Sequence, residues 1–68
     1  MIWIDLIEND YNSYPEEGYI VLISDGDHFD TAYFIKSGEY VWMKEDVLTD
    51  ESYEFKAFII KKYAYIDN

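Results

Sequence analysis

The sequence predicts an all-β or β-dominated α+β fold: a twisted antiparallel sheet of four or five strands with at most one short helix. Three observations favour this fold class. β-branched and aromatic residues occur in short runs, as is typical of strands. The three glycines and the single proline lie between these runs, where chain reversals are expected. The 68 residues are enough for one small acidic domain, expected over residues 1–68, and the absence of cysteine excludes disulfides.

The first half of the chain is predicted to contain three strands. Residues 1–7, MIWIDLI, form the first, and a polar loop containing Pro15 follows. Residues 18–24 form a β-branched second strand that ends at an Asp-Gly pair, which is a strong hairpin signal. Residues 28–36 form the third strand, and they end before a Ser-Gly pair.

The second half is predicted to contain two strands and the only helical candidate. Residues 39–44 form the fourth strand. Residues 45–53 are the one stretch that suits a helical turn, with Val47 and Leu48 facing inward. Residues 54–66 form a long final strand, with a bend expected at the Lys-Lys pair within it.

Charge pairing favours one register for the third and fourth strands. A two-residue turn at the Ser-Gly pair brings Lys36 opposite Glu39. A three-residue loop at 25–27 then adds the second strand, and alternation gives the sheet two apolar faces. The first face is the predicted core: Ile20, Leu22, Ala32, Phe34, Val41 and Met43. The second is more aromatic, and is either covered or left partly open as a contact surface: Tyr19, Val21, Ile23, Thr31, Tyr33, Ile35, Tyr40 and Trp42.

The charge of the chain is strongly negative and unevenly distributed. Fifteen acidic residues and five lysines give a net charge of −10, and there is no arginine. Residues 1–30 contain eight acids and no lysine. Nucleic acid and anionic membranes repel such a chain, so neither is an expected partner. Without the arginine fork the chain is also poorly equipped to hold phosphate, and we expect it to attract cationic protein surfaces.

The sequence favours a cytoplasmic location. Its longest apolar run is far shorter than the roughly 20 residues that span a bilayer. The N-terminal segment carries acids where a signal peptide carries basic residues. A secreted domain of this size would usually need disulfides, which a chain without cysteine cannot form.

The segment SDGDHFDTAY, residues 24–33, places three aspartates and the only histidine close together. It fails as an EF-hand calcium loop, because the sixth position is Asp30 instead of glycine and the twelfth is Lys36 instead of glutamate. An irregular divalent-cation site at Asp25, Asp27 and Asp30 is one alternative. A hairpin turn whose aspartates bond nearby backbone groups is the other, and it is the one we expect, with no metal bound.

No residue pattern indicates catalysis or a cofactor. His28 is the only histidine, and a Ser-His-Asp set would need a serine brought to it from elsewhere in a very small fold. Carboxylate pairs are plentiful, but a glycosidase also needs a cleft for its sugar, which so short a chain can hardly enclose. We therefore expect a protein that is not an enzyme, without catalytic or cofactor-binding residues.

The chain resembles a family of small phage and prophage proteins of unknown function over about residues 3–43. The residues that carry the resemblance are Trp3-Ile4, Pro15-Glu16-Glu17-Gly18, the runs YIVLIS and GDHFDTAYF, and Trp42. The C-terminal KKYAYIDN departs from the family pattern, because Tyr63 stands where the family has tryptophan and the family's prolines are absent. The resemblance implies a phage origin, a small β-rich fold and the host cytoplasm as location, and it carries no catalytic residue across.

Acidity and this resemblance together suggest a function by analogy with anti-CRISPR and DNA-mimic proteins of phages. We expect an inhibitor that binds a basic, nucleic-acid-binding host protein, such as a defence nuclease, and blocks its nucleic-acid site by polyanion mimicry. The expected mimicking carboxylates are Asp5, Glu8, Asp10, Glu16, Glu17, Asp25, Asp27 and Asp30. The expected apolar anchors beside them are Tyr11, Tyr14 and Tyr19.

The alternative is a non-catalytic interaction or assembly module. In this interpretation the acids only keep the protein soluble. The aromatic sheet face then makes the contact, with a second copy or with a virion component, through Tyr19, Tyr33, Tyr40 and Trp42.

Overall fold

The computed structural model describes residues 1–66 and has an all-β fold. Within that range the chain forms a six-stranded antiparallel sheet and one 3₁₀ helix, Tyr11–Ser13. The strands are β1 (Ile4–Asp5), β2 (Val21–Ser24), β3 (Phe29–Ile35), β4 (Val41–Asp46), β5 (Glu51–Glu54) and β6 (Lys62–Tyr65). The predicted fold class is confirmed, with one strand more than the four or five expected.

Strand β3 connects the two halves of the sheet. The spatial order is β1-β6-β2-β3-β4-β5, so β1 and β5 are the edge strands. Residues 29–32 of β3 pair with β2, whereas residues 33–35 pair with β4. The two halves of the sheet therefore depend on one strand whose neighbour changes midway along its length.

The predicted register is wrong by one residue on both sides of β3. Val21 lies opposite Ala32, and Phe34 lies opposite Trp42 instead of Val41. We call the face that carries these side chains the inner face. Of the predicted core, Ala32 and Phe34 are confirmed as buried. The others alternate to the opposite, outer face, where they are half-buried or exposed: Ile20, Leu22, Val41 and Met43.

The register shifts because both connecting loops are longer than predicted. The carboxylate of Asp25 accepts the backbone N–H groups of Asp27 and His28, so the β2–β3 loop takes four residues, 25–28. The carboxylate of Glu17 accepts the backbone N–H groups of Lys36 and Ser37. Those amides cannot then close a two-residue hairpin, and the β3–β4 loop runs over 36–40.

The helical turn predicted over 45–53 is wrong, because this stretch is part of a β-hairpin. Strand β4 continues to Asp46, whose side chain accepts the backbone N–H of Leu48 at 2.9 Å. Asp50 adopts a left-handed conformation with φ 58° and donates its backbone N–H to the Asp46 carbonyl at 2.8 Å. These contacts reverse the chain. Val47 and Leu48 are 90% and 93% exposed, instead of facing inward.

The predicted first and last strands are longer than the strands that form. Strand β1 has two residues, and the segment after it continues into the loop and the 3₁₀ helix. Residues 55–61 leave the sheet, and strand β6 begins at the second lysine of the expected bend. Phe55 is buried, and Phe58 and Ile60 pack against the core, so this segment helps to cover the inner face.

The inner face carries an aliphatic part and an aromatic part. The aliphatic part contains Val21, Ile23 and Ala32, together with Phe55 and Tyr63. The aromatic part, called the aromatic cluster below, has Phe34 at its centre and contains Tyr11, Tyr14, Phe34, Tyr40 and Trp42. The second face predicted from the sequence is therefore divided: Tyr40 and Trp42 join this cluster, Val21 and Ile23 are buried, and Tyr33 stays on the outer face.

Two phenylalanines of β3 test this register. Phe34 is 1% exposed, whereas Phe29 is 65% exposed on the outer face of the same strand. Phe34→Leu is expected to lower the free energy of unfolding by about 1–2 kcal/mol, since the aromatic cluster loses its central ring. Phe29→Leu is expected to change it by less than about 0.5 kcal/mol. Urea unfolding of both variants measures the difference, and equal losses would contradict the register.

Candidate functional site

The carboxylates predicted as a binding surface lie at different ends of the sheet. Asp25 and Asp27 occupy the β2–β3 loop, and Asp5 is near them because its partner Lys62 pairs with the last residue of β2. Glu16 and Glu17 precede β2 and lie at its other end. The four residues of β2 alone span ~13 Å, which exceeds the Debye length of about 8 Å at physiological salt. Each end therefore acts largely as a separate patch of charge.

Asp25 organises the β2–β3 loop. Its Oδ1 accepts the backbone N–H groups of Asp27 and His28 at 2.8 and 2.7 Å, and its Oδ2 lies 2.9 Å from Nδ1 of the His28 ring. The contact with the His28 side chain, followed by the two amide bonds, lowers the pKa of Asp25 to about 2. The same contact raises the pKa of His28 above 6.5. The expected acidic hairpin turn is confirmed at this position.

Asp30 forms an ion pair instead of a free acidic site. Its Oδ1 accepts from Nζ of Lys44 at 2.6 Å and from the backbone N–H of Thr31 at 2.7 Å. Partial burial raises the pKa of Asp30, but the bonds from Lys44 and Thr31 outweigh it and the net shift is downward. The Lys44 ammonium also donates to the carbonyl and the hydroxyl of Thr31. This carboxylate therefore holds β4 against β3.

Glu17 and Asp10 also bond to the backbone. The carboxylate of Glu17 accepts from the amides of Lys36 and Ser37 and from the Ser37 hydroxyl, at 2.9 Å. These bonds, with the Lys36 amide first, lower the pKa of Glu17. Asp10 caps the 3₁₀ helix by accepting the Asn12 N–H at 3.1 Å. Both side chains stabilise loops, which removes part of their capacity to bind another protein.

The other predicted carboxylates remain available to a partner. Within residues 1–66 the side chains of Glu8, Glu16 and Asp27 are exposed, accept no hydrogen bond and form no ion pair. Asp5 is also exposed, with Lys62 opposite it on β6. Lys62 places its ammonium 5.3 Å from the centre of the Trp3 ring. Folding therefore separates the eight predicted carboxylates into structural and free ones.

The three tyrosines predicted as anchors differ in exposure. Tyr14 is half-buried, with its ring 4.6 Å from that of Phe34, and burial followed by nearby Tyr11 and Glu8 raises its pKa. Tyr11 stacks on Tyr40 at 3.9 Å between ring centres. Tyr19 is more exposed and meets the Tyr65 ring edge-on at 6.4 Å. Tyr14 therefore supports the core, and Tyr19 is the most accessible of the three.

The β4–β5 hairpin is an acidic surface that the sequence interpretation missed. Residues 45–54 contain acids at five positions and no lysine: Glu45, Asp46, Asp50, Glu51 and Glu54. Asp46 shapes the turn, and within residues 1–66 the other four carboxylates have no hydrogen-bond or ion-pair partner. Because residues 45–53 were predicted to form a helical turn, this concentration of acids was not recognised from the sequence. The two turn-forming aspartates, Asp46 and Asp50, four positions apart, are the signal that would have revealed a hairpin.

The aspartates considered for a divalent-cation site do not converge on one another within residues 1–66. Asp25 is bonded to a histidine and two amides, and Asp30 to a lysine, so the two do not join Asp27 in a common cation site. In residues 1–66 no group of three His, Asp or Glu side chains is arranged to hold a metal ion. His28 is exposed, and its ring stacks on Phe58 at 5.6 Å.

The Asp25–His28 contact predicts the pH range in which the β2–β3 loop is most stable. The raised pKa of His28 stabilises the fold below pH 6.5, and this contribution is lost as the pH rises through the folded pKa. The lowered pKa of Asp25 stabilises the fold above pH 3.8, and this contribution is lost as the pH falls from 3.8 through about 2. In Asp25→Asn the pKa of His28, measured by NMR titration, is expected to fall toward 6.5. Asp27→Asn is the control and should shift it less.

Substitutions at Glu17 and at its neighbour Glu16 compare a carboxylate that bonds the backbone with one that is free. Glu17→Gln replaces the charged acceptor of the Lys36 and Ser37 amides, so hydrogen exchange at these two amides is expected to accelerate and the melting temperature to fall. Glu16→Gln removes the same charge from an unbonded side chain and is expected to leave both unchanged. If the two variants behave alike, Glu17 has no special role in the β3–β4 loop.

Comparison with family models, with curated proteins and with solved structures found no match to this chain. Within residues 1–66 no helix has the length and apolar character needed to cross a membrane.

Proposed function

We propose that this protein is a small, non-catalytic inhibitor of phage type, which binds a basic nucleic-acid-binding host protein and occupies its nucleic-acid site as a polyanion mimic. The observation that carries this proposal is the set of acidic side chains without partners on the surface of residues 1–66: Asp5, Glu8, Glu16, Asp27, Glu39, Glu45, Asp50, Glu51 and Glu54.

Electrostatics explains why such a surface suits a nucleic-acid-binding partner. Duplex DNA presents about one negative charge per 1.7 Å of its axis, and proteins that bind it carry complementary lysine and arginine. Carboxylates distributed over a fold of 31 × 27 × 25 Å can meet several of these cations at once. Attraction between complementary surfaces also accelerates association, which benefits an inhibitor that must compete with nucleic acid.

The free carboxylates of the β4–β5 hairpin and of the N-terminal half support the proposed contact best. The internally bonded acids, such as Asp25 and Asp30, already have partners, and breaking those contacts would oppose binding. Residues 45–54 contain five acids, four of them free, whereas residues 8–17 contain four acids, of which only Glu8 and Glu16 are free. The N-terminal carboxylates add separate negative charge, with Asp5 on the opposite edge strand, β1.

A binding experiment tests this proposal. The immobilised protein is exposed to bacterial proteins that were retained on DNA-cellulose, and a captured protein is identified, purified and titrated. Its Kd is expected to rise steeply with salt, and duplex DNA is expected to displace it. A captured protein that saturating DNA does not displace, or an affinity that is independent of salt, would contradict mimicry. A tight, salt-insensitive homodimer would instead support the assembly module.

Variants in which surface carboxylates are neutralised test how much these acids contribute to binding. Because exposed ion pairs contribute roughly 0–1 kcal/mol each, Glu51→Gln alone is expected to raise the Kd by less than about fivefold. The combined variant E45Q/D50N/E51Q/E54Q is expected to raise it by more than about tenfold and to reduce its salt dependence. The control is Glu17→Gln, which removes one structural carboxylate. Its effect on Kd should be no larger than that of Glu51→Gln.

A further inference from the structure

The tip of the β4–β5 hairpin exposes two neighbouring aliphatic side chains. Val47 and Leu48 are 90% and 93% exposed, so neither contributes appreciable burial to the fold. The reverse turn itself is held by Asp46 and Asp50 and does not require apolar residues at these positions. Folding stability therefore does not account for valine and leucine at the tip.

The turn presents this pair in a defined conformation. The Asp46 carboxylate fixes the Leu48 amide, and the Asp46 carbonyl accepts the N–H of Asp50. The four β4–β5 residue pairs below the turn continue the ladder from Asp46 opposite Glu51 to Met43 opposite Glu54. A backbone that is already ordered loses less conformational entropy on binding.

The charges around three exposed apolar surfaces indicate which of them suits a basic partner. At the Trp3–Phe29 contact, Lys62 lies over the Trp3 ring. The groove beside Phe55 and Ile59 is lined by Lys56 as well as by Glu54. At the hairpin tip, residues 45–51 carry acids and no lysine, and Lys44, which lines the groove beside Val47, is ion-paired with Asp30. A cationic surface meets mixed charge at the first two sites, since Asp5 lies opposite Lys62, and mostly negative charge at the third.

We propose that Val47 and Leu48 form the apolar anchor of this protein, and that they insert into an apolar pocket rimmed by lysine or arginine on a partner protein. This inference rests on the proposed function, because it takes the partner to be basic. It replaces Tyr14 as an anchor with residues that make no contribution to the core. A second copy of this chain is a poor occupant, since each copy carries a net charge of −10.

The anchor explains how weak surface charges can give useful affinity. Exposed ion pairs contribute little individually, whereas an aliphatic side chain that becomes buried on binding contributes more and is insensitive to salt. The acids around the tip would then direct the approach, and the two aliphatic side chains would slow dissociation. Central apolar anchors surrounded by polar contacts are typical of protein interfaces.

Two synthetic peptides test this anchor without knowledge of the natural partner. Both are short, blocked and equally charged, one alternating lysine with leucine and the other lysine with serine. The native protein is expected to prefer the lysine-leucine peptide by about tenfold or more. The backbone amide shifts on titration, measured by NMR, are expected to be largest at residues 46–50.

Variants with equal loss of exposed aliphatic surface provide the control. V47S/L48S is expected to bind the two peptides with nearly equal affinity, and to remain folded because neither side chain is buried. The control I2S/I59S removes two other exposed aliphatic residues and is expected to retain the preference.

Two results would overturn the anchor: a preference that survives in V47S/L48S, or amide shifts centred on Trp3 and Phe29. Neither result concerns displacement by DNA, which tests mimicry alone. If DNA fails to displace a captured protein while the peptide preference disappears in V47S/L48S, the anchor stands and mimicry does not.

Discussion

The register of β3 is the constraint on which the rest of the structure depends. This strand pairs with β2 through its first half and with β4 through its second, so one register error would exchange the inner and outer faces of both halves. Two carboxylates determine the register from outside the strand. Asp25 binds amides of the loop before it, and Glu17 binds amides of the loop after it. Acidic side chains thus decide which apolar side chains form the core.

Folding divides the acids of this protein into two populations with different roles. Asp25, Asp30 and Glu17 have lowered pKa values because amides, a histidine or a lysine stabilise their charged forms. The carboxylates of the β4–β5 hairpin mostly project into solvent and carry the charge that a partner would meet. A net charge of −10 therefore overstates the acidity that is free to act between molecules.

The sequence was sufficient for the fold class, and its limits have physical reasons. Strand β3 was predicted within one residue at each end, because its alternating aromatic and β-branched residues are unambiguous. The faces were assigned incorrectly, since the bonds from Glu17 to Lys36 and Ser37 join residues about twenty positions apart and leave no local pattern. At 45–53 the apolar pair suggested a buried helical stripe, whereas turn chemistry at Asp46 and Asp50 prevailed.

Strand β5 has consequences for the behaviour of the protein in acid. It is an edge strand, exposed along its whole length, and an unpaired edge is a template on which further copies can pair. At neutral pH the charges of Glu51 and Glu54 keep identical edges apart. The sequence pI is about 4.1, and near that pH the net charge vanishes. Acidification would then weaken the repulsion between copies and favour their pairing along this edge.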